Sequence, residues 1–145
     1  MVGGLTVLVV VLVAASVAGF ALRRRQGRFR TAAAASRSVL TTADLGAPLG
    51  EQATLVQFST EVCAYCGPTR KLLAEVAGER NGVAFVEVDA AARMDLTKRL
   101  GVLSTPTVLV LDSSGGITSR ASGPQRKADV VTAVGKALDA GGGVS

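Results

Sequence analysis

Histidine and tryptophan are absent from this chain of 145 residues, and it has a single tyrosine. Without an imidazole there is neither a histidine base nor a histidine metal ligand. This excludes Ser-His and Cys-His catalysis and most zinc enzymes. Cysteine is also scarce. The chain has only two, Cys63 and Cys66, and both fall in one short stretch.

Acidic residues are missing from the first part of the chain, since the first one is Asp44. From Ser38 onward the charges nearly cancel, with ten basic and eleven acidic residues. The net charge of +5 therefore belongs to a short run that holds six of the sixteen basic residues: Arg23, Arg24, Arg25, Arg28, Arg30 and Arg37. A nucleic-acid-binding domain would carry this charge on the domain itself, so we expect no nucleic-acid partner.

The N-terminal segment is a long uncharged run. Residues 2–22 contain no charged side chain, and a helix of this length spans a hydrocarbon layer of about 30 Å. A cleaved signal peptide usually has basic residues before its apolar run, whereas here they follow it. We therefore predict a retained single-pass anchor in a cell membrane, with cleavage as the alternative.

The arginines after the anchor also predict its orientation. Basic residues stay on the cytoplasmic side, which would place the C-terminal domain in the cytoplasm. An extracytoplasmic domain is the alternative, because dithiol proteins on membrane anchors often face outward. Residues 23–50 are predicted to be a basic juxtamembrane segment and linker, with a short helix around 42–45.

Residues 51–140 show the pattern of one α/β domain with the order β-α-β-α-β-β-α. Strands are predicted from β-branched and apolar runs, and helices from apolar residues at helical spacing. The strands are expected at 53–58, 83–88, 107–111 and 117–121, and the helices from the cysteines to Arg80, at 91–100 and around 130–138. Parallel pairing across the first helix and a final hairpin predict a four-stranded mixed sheet with flanking helices. Residues 141–145 are expected to form a flexible tail.

The two cysteines fit two overlapping motifs. Cys63-Ala64-Tyr65-Cys66 is a C-x-x-C pair, whereas Tyr65-Cys66-Gly67-Pro68-Thr69 is similar to an aromatic-C-G-P-C motif that has lost its last cysteine. The first motif predicts a dithiol that cycles through a disulfide, and the second a lone thiol. In both, the thiols lie between a strand and a helix, where the helix N-terminus stabilises a thiolate.

The domain resembles the thioredoxins over residues 51–140. In that family a phenylalanine lies five residues before the first cysteine, and Phe58 has this spacing to Cys63. The Thr105-Pro106 pair resembles the family's cis-proline loop, and Gly123 resembles a glycine that follows the hairpin. The resemblance implies a thioredoxin fold, a Cys63–Cys66 dithiol and a cis bond before Pro106. It also implies substrate contacts at Tyr65, Thr105 and Pro106.

Several positions depart from the family pattern. The family's buried carboxylate and its lysine partner are replaced by Gln57 and Phe85. Their joint loss avoids an unpaired buried charge but also removes the group that deprotonates the second cysteine. We therefore expect a slower or more specialised reductant. Pro68 is expected to delete one helical hydrogen bond and to bend the helix.

Thiol–disulfide exchange is the predicted function, with Cys63 attacking a substrate disulfide and Cys66 resolving it. We expect no cofactor and no metal, a monomer, a protein or small-molecule disulfide as substrate, an unidentified reductase and the lipid bilayer as partners. The alternatives are a binding or redox-sensor module without turnover, a zinc site shared between two copies, and a scaffold with inert cysteines.

Overall fold

The computed structural model describes residues 2–26, 29–31 and 38–142. Parts of the predicted juxtamembrane segment (27–28 and 32–37) and of the predicted tail (143–145) lie outside these residues. The helices are α1 (Val2–Gln26), α2 (Thr42–Leu45), α3 (Cys66–Gly78), α4 (Met94–Arg99) and α5 (Lys127–Gly141). The strands are β1 (Arg30–Thr31), β2 (Ala53–Ser59), β3 (Val83–Asp89), β4 (Thr107–Asp112) and β5 (Ile117–Ser122).

The predicted four-stranded mixed sheet is confirmed, and a short strand extends it. The strand order is β1-β5-β4-β2-β3. β2 pairs in parallel with β3 and antiparallel with β4, while β4 and β5 form the expected hairpin. The addition is β1, which was expected to be linker and pairs antiparallel with the outer edge of β5. It covers part of an edge that would otherwise present unpaired backbone groups.

Both faces of the sheet are covered by apolar side chains. On one face, Leu73, Val76 and Val130 of α3 and α5 pack on β2 and β4, and Phe29 lies against this cluster. On the other face, Val56, Phe58 and Leu109 of the sheet pack with residues of α2 and α4. All seven residues of β2 are buried, because this strand lies between two neighbours and under helices on both sides.

The packed unit includes residues before 51, the expected start of the domain. Leu40 and Leu45 are buried in the cluster that contains Phe58. The Leu40 N–H donates to Gly115 O at 2.9 Å, and a side chain at Gly115 would collide with the Leu40 carbonyl. Gly115 also has a φ of 84°, which favours glycine. The expected short helix at 42–45 is present as α2.

Helix ends differ from the expected ones. α3 begins at Cys66 instead of Cys63, because the Cys63 N–H bonds to Thr60 O in a turn at 3.3 Å, and α3 ends at Gly78, before Arg80. α4 begins at Met94 instead of Ala91. There the Asp89 carboxylate accepts the N–H groups of Ala91 and Ala92, which favours a turn over helix.

α1 is long and apolar enough to cross a membrane, and none of its apolar stretch Val2–Arg24 is buried. This finding rests on length and composition only, and an N-terminal signal sequence meets the same criteria. The guanidinium of Arg24 lies 4.6 Å from the centre of the Phe20 ring. This cation–π contact holds the positive charge of Arg24 near the C-terminal end of α1, where the helix dipole favours a cation.

Candidate active site

The two cysteines lie together at the junction between β2 and α3. They are joined by a disulfide bond, with their Cα atoms 5.4 Å apart. Cys66 is the first residue of α3, and Cys63 lies in the loop ahead of it. The central strand β2 thus delivers both sulfurs to the N-terminus of a helix of 13 residues, where unpaired N–H groups and the helix dipole favour a thiolate.

The two sulfurs differ in access. Cys66 is buried, with 3% of its surface exposed, whereas Cys63 is only half-buried. An incoming disulfide can therefore meet Cys63 from solvent, while Cys66 is positioned to attack Cys63 from the protein side. This asymmetry matches the roles of attacking and resolving thiol.

Pro68 lies in the first turn of α3, where it does not delete the helical hydrogen bond that the sequence predicts it to delete. Because the helix begins at Cys66, Pro68 is its third residue, and the first four N–H groups of a helix have no partner within the helix. The first helical bond is donated by Thr69 N to Tyr65 O at 3.1 Å. The prediction that Pro68 deletes a helical bond is therefore wrong, since the proline lies where no bond is lost.

Gln57 lies beneath the start of α3 and holds Cys66 in place. Its Nε2 donates to Cys66 O at 2.9 Å, and the side chain is fully buried. Its Oε1 is buried and has no partner among the residues described. A neutral amide thus occupies the position of the family's carboxylate. It positions the second cysteine through its backbone, and it carries no charge that could accept a thiol proton.

The loop before β4 forms the opposite wall of the site. The Thr105–Pro106 bond is cis, as the resemblance implies. The hydroxyls of Thr60 and Thr105 lie 3.3 Å apart, and Gly123 N donates to Pro106 O at 2.8 Å. These contacts connect the loop to the segment before Cys63 and to the end of β5. Thr60 was missed in the sequence because only folding brings it to Thr105.

Thr105 keeps its backbone groups available. Within the described part of the chain, neither its N–H nor its carbonyl takes part in a hydrogen bond. The residue is half-buried, and Pro106 behind it is buried. An extended peptide could therefore pair with Thr105 as an added strand.

Large apolar side chains are exposed next to the cysteines in sequence and in the loop before Thr105. Tyr65 is 59% exposed, Val62 94% and Leu103 96%. Tyr65 was expected to contact substrate, whereas Val62 and Leu103 were not identified as site residues. The sequence signal for Leu103 is an apolar pair, Val102-Leu103, in the loop between a glycine and the Thr105-Pro106 pair.

Ion pairs hold α3 in position from the side. Arg70 makes two hydrogen bonds to the Glu87 carboxylate of β3, and these raise the pKa of Arg70. Lys127 of α5 contacts Glu75 at 2.5 Å and Glu79 at 2.8 Å. The hydrogen bond to Glu75, followed by the one to Glu79, raises the pKa of Lys127. All three ion pairs lie at the surface, so they orient the helix more than they stabilise it.

Comparisons with known proteins agree with this geometry. The family model described as Thioredoxin matches residues 39–136, more than half of the chain. Chloroplastic thioredoxin z is 24% identical, with a TM-score of 0.55 over 61% of this chain and 80% of that one. Thioredoxin NaTrxh from Nicotiana alata is 23% identical, with a TM-score of 0.53 over 59% and 73%. Thioredoxin-2 of the malaria parasite is 16% identical, with a TM-score of 0.54 over 59% and 82%.

Proposed function

The chain belongs to the thioredoxin family, and we propose that it is a membrane-anchored thiol–disulfide oxidoreductase with Cys63 as attacking and Cys66 as resolving cysteine. The observation that carries this proposal is the pairing of a half-buried Cys63 with a buried Cys66 in one disulfide at the start of α3. A redox-inert scaffold would have no need to expose one of its two sulfurs in this way.

In the reducing direction, the Cys63 thiolate attacks one sulfur of a substrate disulfide and expels the other as a thiolate, which takes up a proton. The Cys66 thiolate then attacks Cys63 Sγ and releases the second substrate thiol. The substrate disulfide is reduced to two thiols, and the protein dithiol is oxidised to the disulfide present in the structure. An external dithiol donor, such as a reductase, must return the disulfide to the dithiol.

The substrate segment is proposed to lie along Thr105 and beside Tyr65, with Pro106 supporting the loop. The free backbone groups of Thr105 support this placement, because main-chain pairing accepts many sequences. The lack of an ionisable group at Gln57 supports a slower exchange than in an ordinary thioredoxin. Proton removal from Cys66 would then depend on water or on the departing thiolate.

α1 is proposed to be the membrane anchor. The length and composition of Val2–Arg24 support a span, and the basic run after it supports a cytoplasmic domain.

A trapping experiment tests the exchange mechanism. In Cys66→Ser the mixed disulfide at Cys63 has no resolving thiol, so we expect substrate-linked species in cell extracts that dithiothreitol releases. Cys63→Ser is the matched control and should trap none. If Cys66→Ser traps nothing and retains full function in cells, the alternative of a binding or sensor module without turnover replaces this proposal.

A further inference from the structure

The connection between α1 and the folded domain is very short. α1 ends at Gln26, and Phe29 already packs against the core face formed by α3 and α5. Three peptide units join the Cα atoms of these two residues, so they lie at most about 11 Å apart in any conformation. A domain with such a connection remains close to the surface that α1 enters.

The chain enters the domain at the end of the sheet that carries the cysteines. In the β1–β5 pairing, Arg30 lies opposite Arg120 and Thr31 opposite Ser119. Further along, Val39 lies opposite Gly116. The N-terminal segment therefore meets β5 in its C-terminal half and runs towards its N-terminal end.

The C-terminal end of β5 lies at the active site. Ser122 is opposite Thr107, the residue after Pro106, and Thr107 is opposite Phe58 near the end of β2. The strand order places β2 three positions from β1, which corresponds to a lateral distance of about 14 Å. The active site and the entry of the chain thus share one end of the sheet.

Exposed apolar residues are concentrated at the same end. Within residues 38–142, the large apolar side chains that are exposed are Val39, Val62, Tyr65, Met94 and Leu103. Val39 lies beside Gly116 at the opposite end. We call the other four the apolar rim. Two of them, Val62 and Tyr65, follow β2, while Met94 follows β3 and Leu103 precedes β4. These strand ends meet at the active site. Single exposed apolar residues are common, but a one-sided group of four indicates a contact surface.

We infer that the active-site end of the domain faces the bilayer, with the apolar rim in the headgroup region, and that the substrates are disulfides of integral membrane proteins close to the bilayer surface. This inference rests on the proposed membrane span and exchange activity. The short connection holds Cys63 near the membrane, so disulfides in the same plane are met at a high effective concentration. Tyrosine and aliphatic side chains suit the boundary between lipid and water.

The absence of tryptophan from the chain makes the orientation measurable. Leu103→Trp and Val62→Trp each place a single fluorophore in the apolar rim. The matched control is Asn81→Trp, because Asn81 is exposed and lies just before β3, at the opposite end of the sheet. The full chain is reconstituted in phosphatidylcholine–phosphatidylglycerol vesicles, and tryptophan emission is recorded with and without lipids brominated near the headgroup.

We expect brominated lipid to quench Leu103→Trp and Val62→Trp strongly and Asn81→Trp weakly, with aqueous iodide giving the reverse order. Equal quenching at both ends, or stronger quenching of Asn81→Trp, overturns the proposed orientation. This result does not depend on thiol chemistry, so it stands apart from the proposed activity.

A second experiment tests the substrate class in the same vesicles. One transmembrane peptide carries a disulfide directly after its span, and another carries the same disulfide beyond a flexible spacer of about 40 residues. We expect the pre-reduced protein to reduce the first at least about tenfold faster than the second. A flexible insertion between residues 28 and 29 should remove this preference without slowing the reduction of a small soluble disulfide. Equal rates on the two peptides overturn the inference, whereas no reduction of any disulfide overturns the proposed function itself.

Discussion

Gln57 shows how one buried side chain affects both stability and chemistry. It is enclosed between the sheet and the start of α3, and its amide N–H holds the Cys66 carbonyl. An amide keeps this hydrogen bond at every pH, because it does not titrate. Gln57 therefore holds Cys66, the proposed resolving cysteine, without placing a buried charge beside it.

Gln57→Glu tests the electrostatic character of this position. Burial should raise the pKa of the new carboxyl, so the folded state binds its proton more tightly than the unfolded state. The variant should therefore lose about 2–4 kcal/mol of stability at pH 7, and little at about pH 3, where the carboxyl is almost fully protonated in both states. Urea unfolding of the oxidised protein at the two pH values measures the difference.

The matched control is Gln52→Glu, since Gln52 is exposed just before β2. It should change stability little at either pH. If Gln57→Glu is as stable as the parent protein at neutral pH, water reaches this position, and the conclusion that Gln57 is enclosed between the sheet and α3 is wrong.

At the scale of elements, residues 38–46 act as part of the domain instead of a free linker. Leu40 and Leu45 are buried beside Phe58, and α2 begins with a capping box between Thr41 and Asp44. The carbonyl of Asp44 accepts from Arg93 Nη1 at 2.6 Å. Its carboxylate accepts from Arg99 Nη2 at 2.9 Å. Apolar burial and polar contacts therefore attach this segment to the α4 side of the sheet.

Leu40→Ala should destabilise the domain by about 2–5 kcal/mol, because the leucine is fully buried and its removal leaves a cavity. The neighbouring Val39→Ala is the control, since Val39 is 55% exposed and surface substitutions change stability by about 0.5 kcal/mol or less. Urea unfolding followed by circular dichroism compares them. Equal effects of the two substitutions would show that the segment does not belong to the cooperative unit.

Asp44→Asn should cost about 1 kcal/mol at neutral pH, because it weakens the capping box and the contact with Arg99. The hydrogen bond from the Thr41 backbone, followed by those from the Thr41 and Arg99 side chains, lowers the pKa of Asp44 below 3.8. A carboxyl whose pKa is lower in the folded state than in the unfolded state stabilises the folded protein at pH values above the unfolded-state pKa. This stabilisation is lost as the pH falls through the folded-state pKa.

The difference between Asp44→Asn and the parent protein should therefore shrink below about pH 4. Thermal unfolding from pH 2 to 7 measures it, with Asp139→Asn as the control for the loss of one exposed carboxylate. A difference that stays constant over this range would assign the effect to packing.

At the scale of the whole molecule, the distribution of charge and apolar surface separates the N-terminal segment from the domain. The apolar run and the arginines that follow it are next to each other in sequence, and the domain carries a nearly balanced charge. The parts are joined by residues 27 and 28 together with the β1 pairing. In the proposed arrangement, this short connection links the membrane placement of α1 to the orientation of the active site.

The topology prediction is tested on intact cells with a membrane-impermeant thiol reagent applied after mild reduction. With the domain in the cytoplasm, Cys63 should react only with a permeant reagent, because the bilayer excludes the impermeant one. The Cys63→Ser variant controls for labelling at Cys66. Labelling of Cys63 by the impermeant reagent would place the domain outside the cytoplasm.

The sequence by itself determined the features that depend on local pattern. The order of strands and helices follows from apolar periodicity. The spacing of Cys63, Cys66 and Pro106 identifies the family, because these residues lie at fixed distances along the chain. The apolar run of α1 is equally visible, since its length and lack of charge need no partner.

The tertiary structure alone decided the features that depend on contacts between distant segments. These are the addition of β1 to the edge of β5, the burial of Leu40, and the contact between Thr60 and Thr105. The start of α3 at Cys66 belongs to the same class, because it is set by the turn from Thr60 and the bond from Gln57. Periodicity describes which residues share a face of one element, but it carries no information on which element that face will meet.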